Sequence, residues 1–243
     1  MDIHVEGERP GRVAAVIPAA GSGSRVGGPV PKQFLEIAGN PLLAVTLEVF
    51  ERAGSVDSVF VVVPPGDVLH CLHEIVENRG FGKVARVVPG GETRRDSVRL
   101  GIWAAAGFEI VVVHDGVRPL VTAALVEKVI EAARVSGSAT AGVPAGDTVK
   151  LVENGVVAKT IDREKIWLAQ TPQAFRYDII LEAHERACRE GWPEPTDDAS
   201  LVEWMGVPVV MVPGDENNMK ITTQRDMELL SLLAGAGGER VTL

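Results

Sequence analysis

Val13-Ala14-Ala15-Val16-Ile17 runs into Pro18-Ala19-Ala20-Gly21-Ser22-Gly23-Ser24-Arg25, and Pro31-Lys32-Gln33 follows shortly after. The apolar run reads as a first strand buried on both faces, with the small-residue loop at its carboxyl end. Glycine and other small residues there let backbone N–H groups approach an anion with no side chain in the way. Arg25 and Lys32 set two fixed positive charges beside the loop. These are the parts of a cradle for a nucleoside triphosphate.

Two other glycine-loop readings fail on spacing. The dinucleotide fingerprint G-x-G-x-x-G needs glycine where the chain has Val26. Its acidic ribose partner should follow the second strand, yet Val59–Val63 is followed by Pro64-Pro65. The P-loop needs lysine after its last glycine, and Gly28 is followed by Pro29. A plain flexible turn would not need Pro-Ala-Ala before it and Arg and Pro-Lys-Gln after it.

The 243 residues suit one large α/β domain spanning 1–243, with two small domains the weaker choice. A net charge of −9 argues against nucleic acid and anionic membranes as partners, because both want a basic face. An acidic chain that binds a polyanion must gather its cations locally. Cys71 and Cys188 lie far apart, without metal-ligand spacing, and read as idle thiols in a reducing, cytoplasmic setting. No stretch has the length of a membrane span, and residues 1–11 lack the apolar run of a signal peptide. Residues 1–11 and 235–243 read as loose termini.

Short apolar runs at Val13–Ile17, Val59–Val63, Val84–Val88, Ile110–Val113, Ala139–Val143 and Val207–Val212 alternate with helical patterns. The helices fall near 40–53, 67–79, 93–106, 122–136, 176–190 and 222–234. Asn40, Thr122 and Thr222 stand at capping positions. The alternation predicts a Rossmann-like, doubly wound, mainly parallel sheet, with ligands beyond the carboxyl ends of its strands. One region departs from it. Two alternating segments flank Asn154-Gly155, the strongest short hairpin signal, so a β-arm at about 145–168 should project from the domain. A two-stranded ribbon is marginal alone and asks for a partner such as a second subunit.

Polar motifs stand at the expected strand ends. Gly90-Gly91 precede a helix start, where N–H groups meet a partial positive charge, and Ser97 is placed to hydrogen-bond a nucleotide. An ordinary capped helix start explains the same residues as well. His114-Asp115-Gly116-Val117-Arg118-Pro119 follows the fourth strand. Asp115 there suits Mg²⁺ or a substrate hydroxyl, or simply a pairing with Arg118. Arg163, Thr171-Pro172-Gln173, Thr196-Asp197-Asp198 and Lys220 come later. The five histidines are scattered and read mostly as solvated, and no nucleophile–base pair is evident. A site rich in cations and glycine N–H groups but poor in nucleophiles suits phosphoryl or nucleotidyl transfer.

The ordered set Pro18–Arg25, Pro31-Lys32-Gln33, Gly90–Val98, His114–Pro119, Asp162-Arg163, Gln170–Gln173, Thr196-Asp197 and Asn218–Thr222 resembles the 2-C-methyl-D-erythritol 4-phosphate cytidylyltransferases. The likeness covers about residues 12 to 233. It implies a fold of the nucleotide-diphospho-sugar transferase type and a reaction of CTP with the polyol phosphate, using Mg²⁺, in the non-mevalonate isoprenoid route. By motif, Arg25, Lys32, Arg163 and Lys220 would be catalytic. Ala19, Ala20, Gly21, Ser22, Gly23, Gly90, Ser97, Asp115 and Gly116 would hold the nucleotide, with Asp115 also on the metal. Asp115, Thr148, Arg163, Thr171, Thr196 and Lys220 would hold the polyol phosphate. The arm would reach a partner subunit in a homodimer, and Arg163 would then act in trans.

Gly116-Val117 stands where the family often has Ala-Ala, and Asn217 where an Asp is frequent. The ribitol 5-phosphate cytidylyltransferases share most of these motifs and often carry Val before the Arg, as Val117 does. A nucleotide-binding regulator on a dead transferase fold is the reading from another class. It would not need intact Arg25, Lys32, Asp115, Arg163 and Lys220.

Overall fold

The computed structural model describes residues 11–21 and 31–236. Strand β1 (Val13–Pro18) leads through a 3₁₀ turn at Lys32–Phe34 and two short paired strands, β2 (Glu36–Ile37) and β3 (Asn40–Pro41), into helix α1 (Leu42–Arg52). Next come β4 (Ser58–Val63), α2 (Val68–His70), which continues as π-helix over Cys71–Glu77, β5 (Val84–Pro89) and α3 (Arg94–Ala104). They are followed by β6 (Ile110–Val113), α4 (Ala123–Ser136) and β7 (Ser138–Pro144). Beyond the arm strands β8 (Lys150–Glu153) and β9 (Val156–Thr160) lie β10 (Trp167–Arg176), α5 (Tyr177–Glu190), α6 (Asp198–Trp204), β11 (Val210–Pro213) and α7 (Gln224–Ala236).

The main sheet has seven strands in the order β11-β7-β10-β6-β1-β4-β5. β1 pairs in parallel with β4 and β6, β4 with β5, and β11 with β7, while β10 runs antiparallel to both its neighbours. The doubly wound, mainly parallel sheet is as the alternation predicted. The chain winds outward from β1 through β4 to β5, then returns to β6 on the other side of β1. Between β1 and β6 the carboxyl ends therefore open a crevice.

Both faces are covered. Val13, Ala15 and Ile17 pack with Leu43, Leu47 and Phe50 of α1 and with Leu125, Val126 and Val129 of α4. Ala14 and Val16 face Val98 and Ile102 of α3 and Ile180 and Leu201 of α5 and α6. A third cluster joins Ile37, Leu42, Val117, Ile221 and Leu230, and fixes α7 against the rim of the crevice.

Local chemistry sets the ends. Thr122 Oγ1 accepts from Leu125 N–H at the start of α4, and Gly137, at φ +87°, ends it in the left-handed region. Thr93 caps α3 in the same way. Asn40 does not cap α1: its amide donates to Ala38 O, and Pro41 occupies the cap position. At α7 the capping hydroxyl is that of Thr223, not Thr222, with Asp226 accepting from both threonines. Gly11 is tied down by Glu109 and Arg134, and α7 continues to Ala236; the rest of the two stretches expected to be loose termini lies outside the described residues. The hairpin turns at Asn154 and Gly155, φ +51° and +80°, as a two-residue connection requires.

Besides the two-residue strands β2 and β3, the sequence pattern missed β10 and α6. β10 carries Gln170, Thr171, Pro172 and Gln173, which interrupt the apolar signal, and its pairing with β7 shifts register between Ala169 and Gln173. α6 is short and starts under the Asp197 cap within what reads as a polar loop. His114 and His184 are fully buried, contrary to the solvated reading. Among the described residues no helix is long and apolar enough to cross a membrane.

A Cβ on Gly101 of α3 would lie 2.4 Å from Val16 Cγ1 and 3.0 Å from Val62 Cγ2. The helix therefore rests directly on β1 and β4. Gly101→Val should cost about 1–3 kcal/mol by overpacking, measured as a lower denaturation midpoint. An unchanged midpoint would show that the helix stands off the sheet.

Candidate functional site

The crevice at the β1–β6 switch point is a cavity of about 410 Å³. Pro18, Ala19, Ala20 and Gly21 line it from the end of β1, Lys32 and Gln33 from the 3₁₀ turn, and Gly91, Arg94 and Ser97 from the start of α3. Asp115 and Val117 enter from the end of β6, and Lys220 from the segment before α7. A second chamber, about 70 Å³, shares Arg94, Asp115 and Lys220 and adds Arg118, Gln170, Thr171, Thr196 and Asp197.

Asp115 stands at the junction, 6% exposed. Lys220 Nζ lies 2.9 Å from its Oδ2, Arg118 Nε 3.5 Å from the same oxygen, and Arg94 Nη2 3.6 Å from Oδ1. Burial disfavours the charged carboxylate, but Arg94, Lys220 and Arg118 outweigh it and hold Asp115 well below the usual carboxylate range. Burial likewise opposes the Arg94 guanidinium, and Asp198 and Asp115 overcome it, so Arg94 stays charged. Arg94, Arg118 and Lys220 thus converge on Asp115, with Asp198 and Asp197 beside Arg94. Cations gathered in this way at one crevice suit an anionic ligand.

The frame around Asp115 is closely fitted. Its N–H donates to Thr171 Oγ1 (3.1 Å), and Thr171 Oγ1 lies 3.1 Å from His114 Nδ1. His114 Nε2 sits 3.2 Å from Arg118 O. These partners assign the neutral tautomer with the proton on Nε2: Thr171 donates to Nδ1 and Nε2–H donates to the carbonyl. Burial pushes the His114 pKa down to about 4, in keeping with that form. Ser97 Oγ accepts from Gly91 N–H and donates to Thr93 O, which fixes the turn ahead of α3. A Cβ on Gly90 would meet Ala20 Cβ at 2.6 Å, so the two loops touch through that glycine. Gly116 is similarly enclosed, with Ala19 Cβ 3.1 Å from an added Cβ.

Lys220 is delivered by Asn218, which is fully buried. Its amide donates to Thr171 O and Gln170 Oε1, and its own carbonyl accepts from Arg118 Nη1. Asn217 N–H donates to Asp215 Oδ1, and the carboxylate that meets Lys220 is Asp115. An Asp at 217 is not needed for that contact. Gln173 Nε2 donates to Thr140 and Asp197, while Oε1 accepts from Asp198 N–H and Ala199 N–H. This locks the start of α6 and the neighbouring Thr196.

The structure therefore brings together Ala19, Ala20, Gly21, Lys32, Gly90, Ser97, Asp115, Gly116, Thr171, Thr196 and Lys220. Ser22, Gly23 and Arg25 lie outside the described residues. Thr148 and Arg163 are exposed at the base of the arm and line neither chamber; Arg163 Nη1 donates to Gly146 O. The sequence reading missed Arg94 and left Gln173 and Asn218 without a role, while the pairing of Arg118 with Asp115 that it offered is present. Arg94 sits in the Gly90–Ser97 motif, and its place in the first turn of α3 was the available signal.

Among the described residues no group of three His, Cys, Asp or Glu could hold a metal. A lone ionised carboxylate fits Mg²⁺ only where substrate phosphates and water supply the remaining ligands, as this ion commonly accepts. Cys71 is buried, and that pushes its thiol up to about 12, so it is inert.

The unfolded chain takes up a proton near 6.5 that buried His114 refuses until about 4. Its contribution is complete above about 6.5 and falls as pH drops through that window. His114→Gln should flatten the slope of unfolding free energy between those pH values in denaturant titrations at fixed ionic strength. An unchanged slope would mean that His114 titrates normally.

The family model for 2-C-methyl-D-erythritol 4-phosphate cytidylyltransferase matches residues 13–234. A protein of that name from Geobacter metallireducens is 48% identical over 221 residues, covering 89% of this chain and 95% of its own. The structure of 4-diphosphocytidyl-2C-methyl-D-erythritol synthase from Anaerococcus prevotii superposes with a TM-score of 0.82 at 31% identity, over 92% of this chain and 96% of that one. The cytidylyltransferase from Thermus thermophilus gives 0.76 at 38% identity, over 92% and 99%. The cation-ringed crevice and these likenesses meet in one conclusion: the chain belongs to the 2-C-methyl-D-erythritol 4-phosphate cytidylyltransferase family.

Proposed function

We propose that this crevice transfers a cytidylyl group from CTP to 2-C-methyl-D-erythritol 4-phosphate, releasing pyrophosphate, in isoprenoid precursor synthesis. The observation that carries the reading is Asp115 at the junction of two chambers, ringed by Arg94, Arg118 and Lys220. The larger chamber, between the Ala19–Gly21 backbone and the Gly90–Ser97 turn, takes the nucleotide. The smaller, beside Thr171 and Thr196, takes the polyol phosphate. Gly90 allows the base close to the backbone, and Gly116 does the same under the sugar.

A phosphate oxygen of the polyol attacks the α-phosphorus of CTP. A new O–P bond forms as the bond from the α-phosphorus to the bridging oxygen breaks, and pyrophosphate departs with that electron pair. No nucleophilic side chain is needed; the chain's task is to align two polyanions and neutralise charge as it shifts. Lys32, with Arg25 and the Ser22-Gly23 backbone, serves the triphosphate, and Lys220 serves the incoming phosphate. Mg²⁺ held by Asp115 and the triphosphate oxygens would supply Lewis-acid neutralisation there.

Thr148 and Arg163 complete the polyol phosphate site from a second copy of the chain, so the working unit is a homodimer. Three facts support this. Both residues stand away from their own crevice, the arm exposes Leu151, Val152, Val156 and Val157, and Leu168 at its base is exposed too. The unpaired thiols Cys71 and Cys188 suit a reducing cytoplasm as the place of work.

A pyrophosphate-release assay with CTP and each polyol phosphate tests the reaction. Turnover with ribitol 5-phosphate in place of the erythritol substrate would overturn it. Lys32→Ala should lower kcat about 100-fold or more while CTP affinity falls much less. Equal losses would reduce Lys32 to a binding contact. Mixing the inactive Lys32→Ala and Arg163→Ala proteins should restore roughly a quarter of wild-type activity, because random pairing gives one intact site in half of the dimers. No recovery in dimers shown to exchange subunits would place Arg163 in cis.

A further inference from the structure

We propose that His184, on α5, is a positioning residue for the transferase site, acting through Asp198 on Arg94; this rests on the nucleotidyl-transfer reading above. His184 is fully buried in the layer of Ile180, Ala183, Ala187, Leu201 and Val202. An imidazole there loses its hydration, and an apolar side chain of similar volume would suit the surroundings better. Packing therefore does not explain a histidine at this place.

Its one polar neighbour does. His184 Nε2 lies 3.2 Å from Asp198 Oδ1, off the line of an ideal hydrogen bond, and neither ring nitrogen has another polar partner among the described residues. Asp198 Oδ2 accepts from Arg94 Nη2 at 2.7 Å, and the same Nη2 stands 3.6 Å from Asp115 Oδ1. Asp198 is buried as well, and its N–H is committed to Gln173. A row of groups thus runs from the core of one helical layer to the floor of both chambers.

The geometry gives each member a task. A carboxylate held at one oxygen pivots about its Cβ–Cγ bond. His184 at Oδ1 stops that pivot, so Oδ2 keeps a fixed direction. Arg94 Nη2 is then pinned between Asp198 and Asp115, and the planar guanidinium can no longer turn. Its Nη1, buried without a partner among the described residues, is left to the ligand that fills the two chambers Arg94 lines. Without His184 the guanidinium has a second orientation, in which Nη1 turns away from the ligand.

The test compares His184→Leu, which fills the space but cannot donate, with His184→Gln, whose amide reaches about as far and can. Steady-state kinetics and CTP calorimetry are run on both, and circular dichroism confirms the fold. His184→Leu should lower kcat/KM about 10-fold, and His184→Gln should recover to within about 3-fold of wild type. In an Asp198→Asn background, His184→Leu should add less than about 2-fold, because the intermediary is already gone. A folded His184→Leu protein with wild-type kcat/KM overturns the proposal, as do effects that simply multiply. If His184→Leu does not fold, His184→Asn, polar but too short to reach Asp198, takes its place with the same expectations. Absence of turnover in the wild type would strike the transferase reading alone. The positioning would then be judged by CTP affinity, expected to fall about 5-fold in His184→Leu and to stay within about 2-fold in His184→Gln; equal affinities in all three proteins would overturn it.

Discussion

A single buried carboxylate organises the mouth of this sheet. Asp115 has left water, and a lone charge in that position would cost several kcal/mol. It remains ionised because Lys220, Arg118 and Arg94 converge on it from three separate parts of the chain. The dependence is mutual. Three cations crowded together repel one another, and Asp115 keeps them within a few ångströms before any ligand arrives. Bringing α3, the β6 exit and the segment before α7 to one point is the structural outcome of that balance.

The neutral parts of the site are equally determined. The Asp115 N–H to Thr171 to His114 to Arg118 carbonyl chain needs an uncharged imidazole, and burial supplies one. Gly90 and Gly116 serve by what they lack. A methyl group at either would press on Ala20 or Ala19 and close the gap through which backbone groups reach a ligand. Charge, hydrogen bonding and empty space are set by different residues but must agree within a few tenths of an ångström.

Much of this was legible in the sequence. Buried parallel strands declare themselves as uninterrupted Val and Ile runs, and Ile110–Val113 appears with its expected limits. Asn154-Gly155 gave the arm because few sequences other than a tight turn need two successive positive φ angles. β10 was not legible: its polar residues belong to the site rather than to the core, so the strand surrendered its apolar signature to function. Arg94 and His184 escaped for a related reason. Arg94 stands in a legible motif, but its partner Asp198, and the approach of His184 to Asp198 Oδ1, join separate elements that no local pattern connects.

β10 also couples two regions that look independent. Its first residues, Trp167 and Leu168, pair with Pro144 and Val143 at the root of the arm. A few residues on, the same strand offers Gln170, Thr171 and Gln173 to the inner chamber and then enters the middle of the sheet beside β6. Only the register shift between Ala169 and Gln173 separates the two ends of this path. Whatever moves the exposed ribbon therefore pulls on the strand that sets the hydroxyl under Asp115.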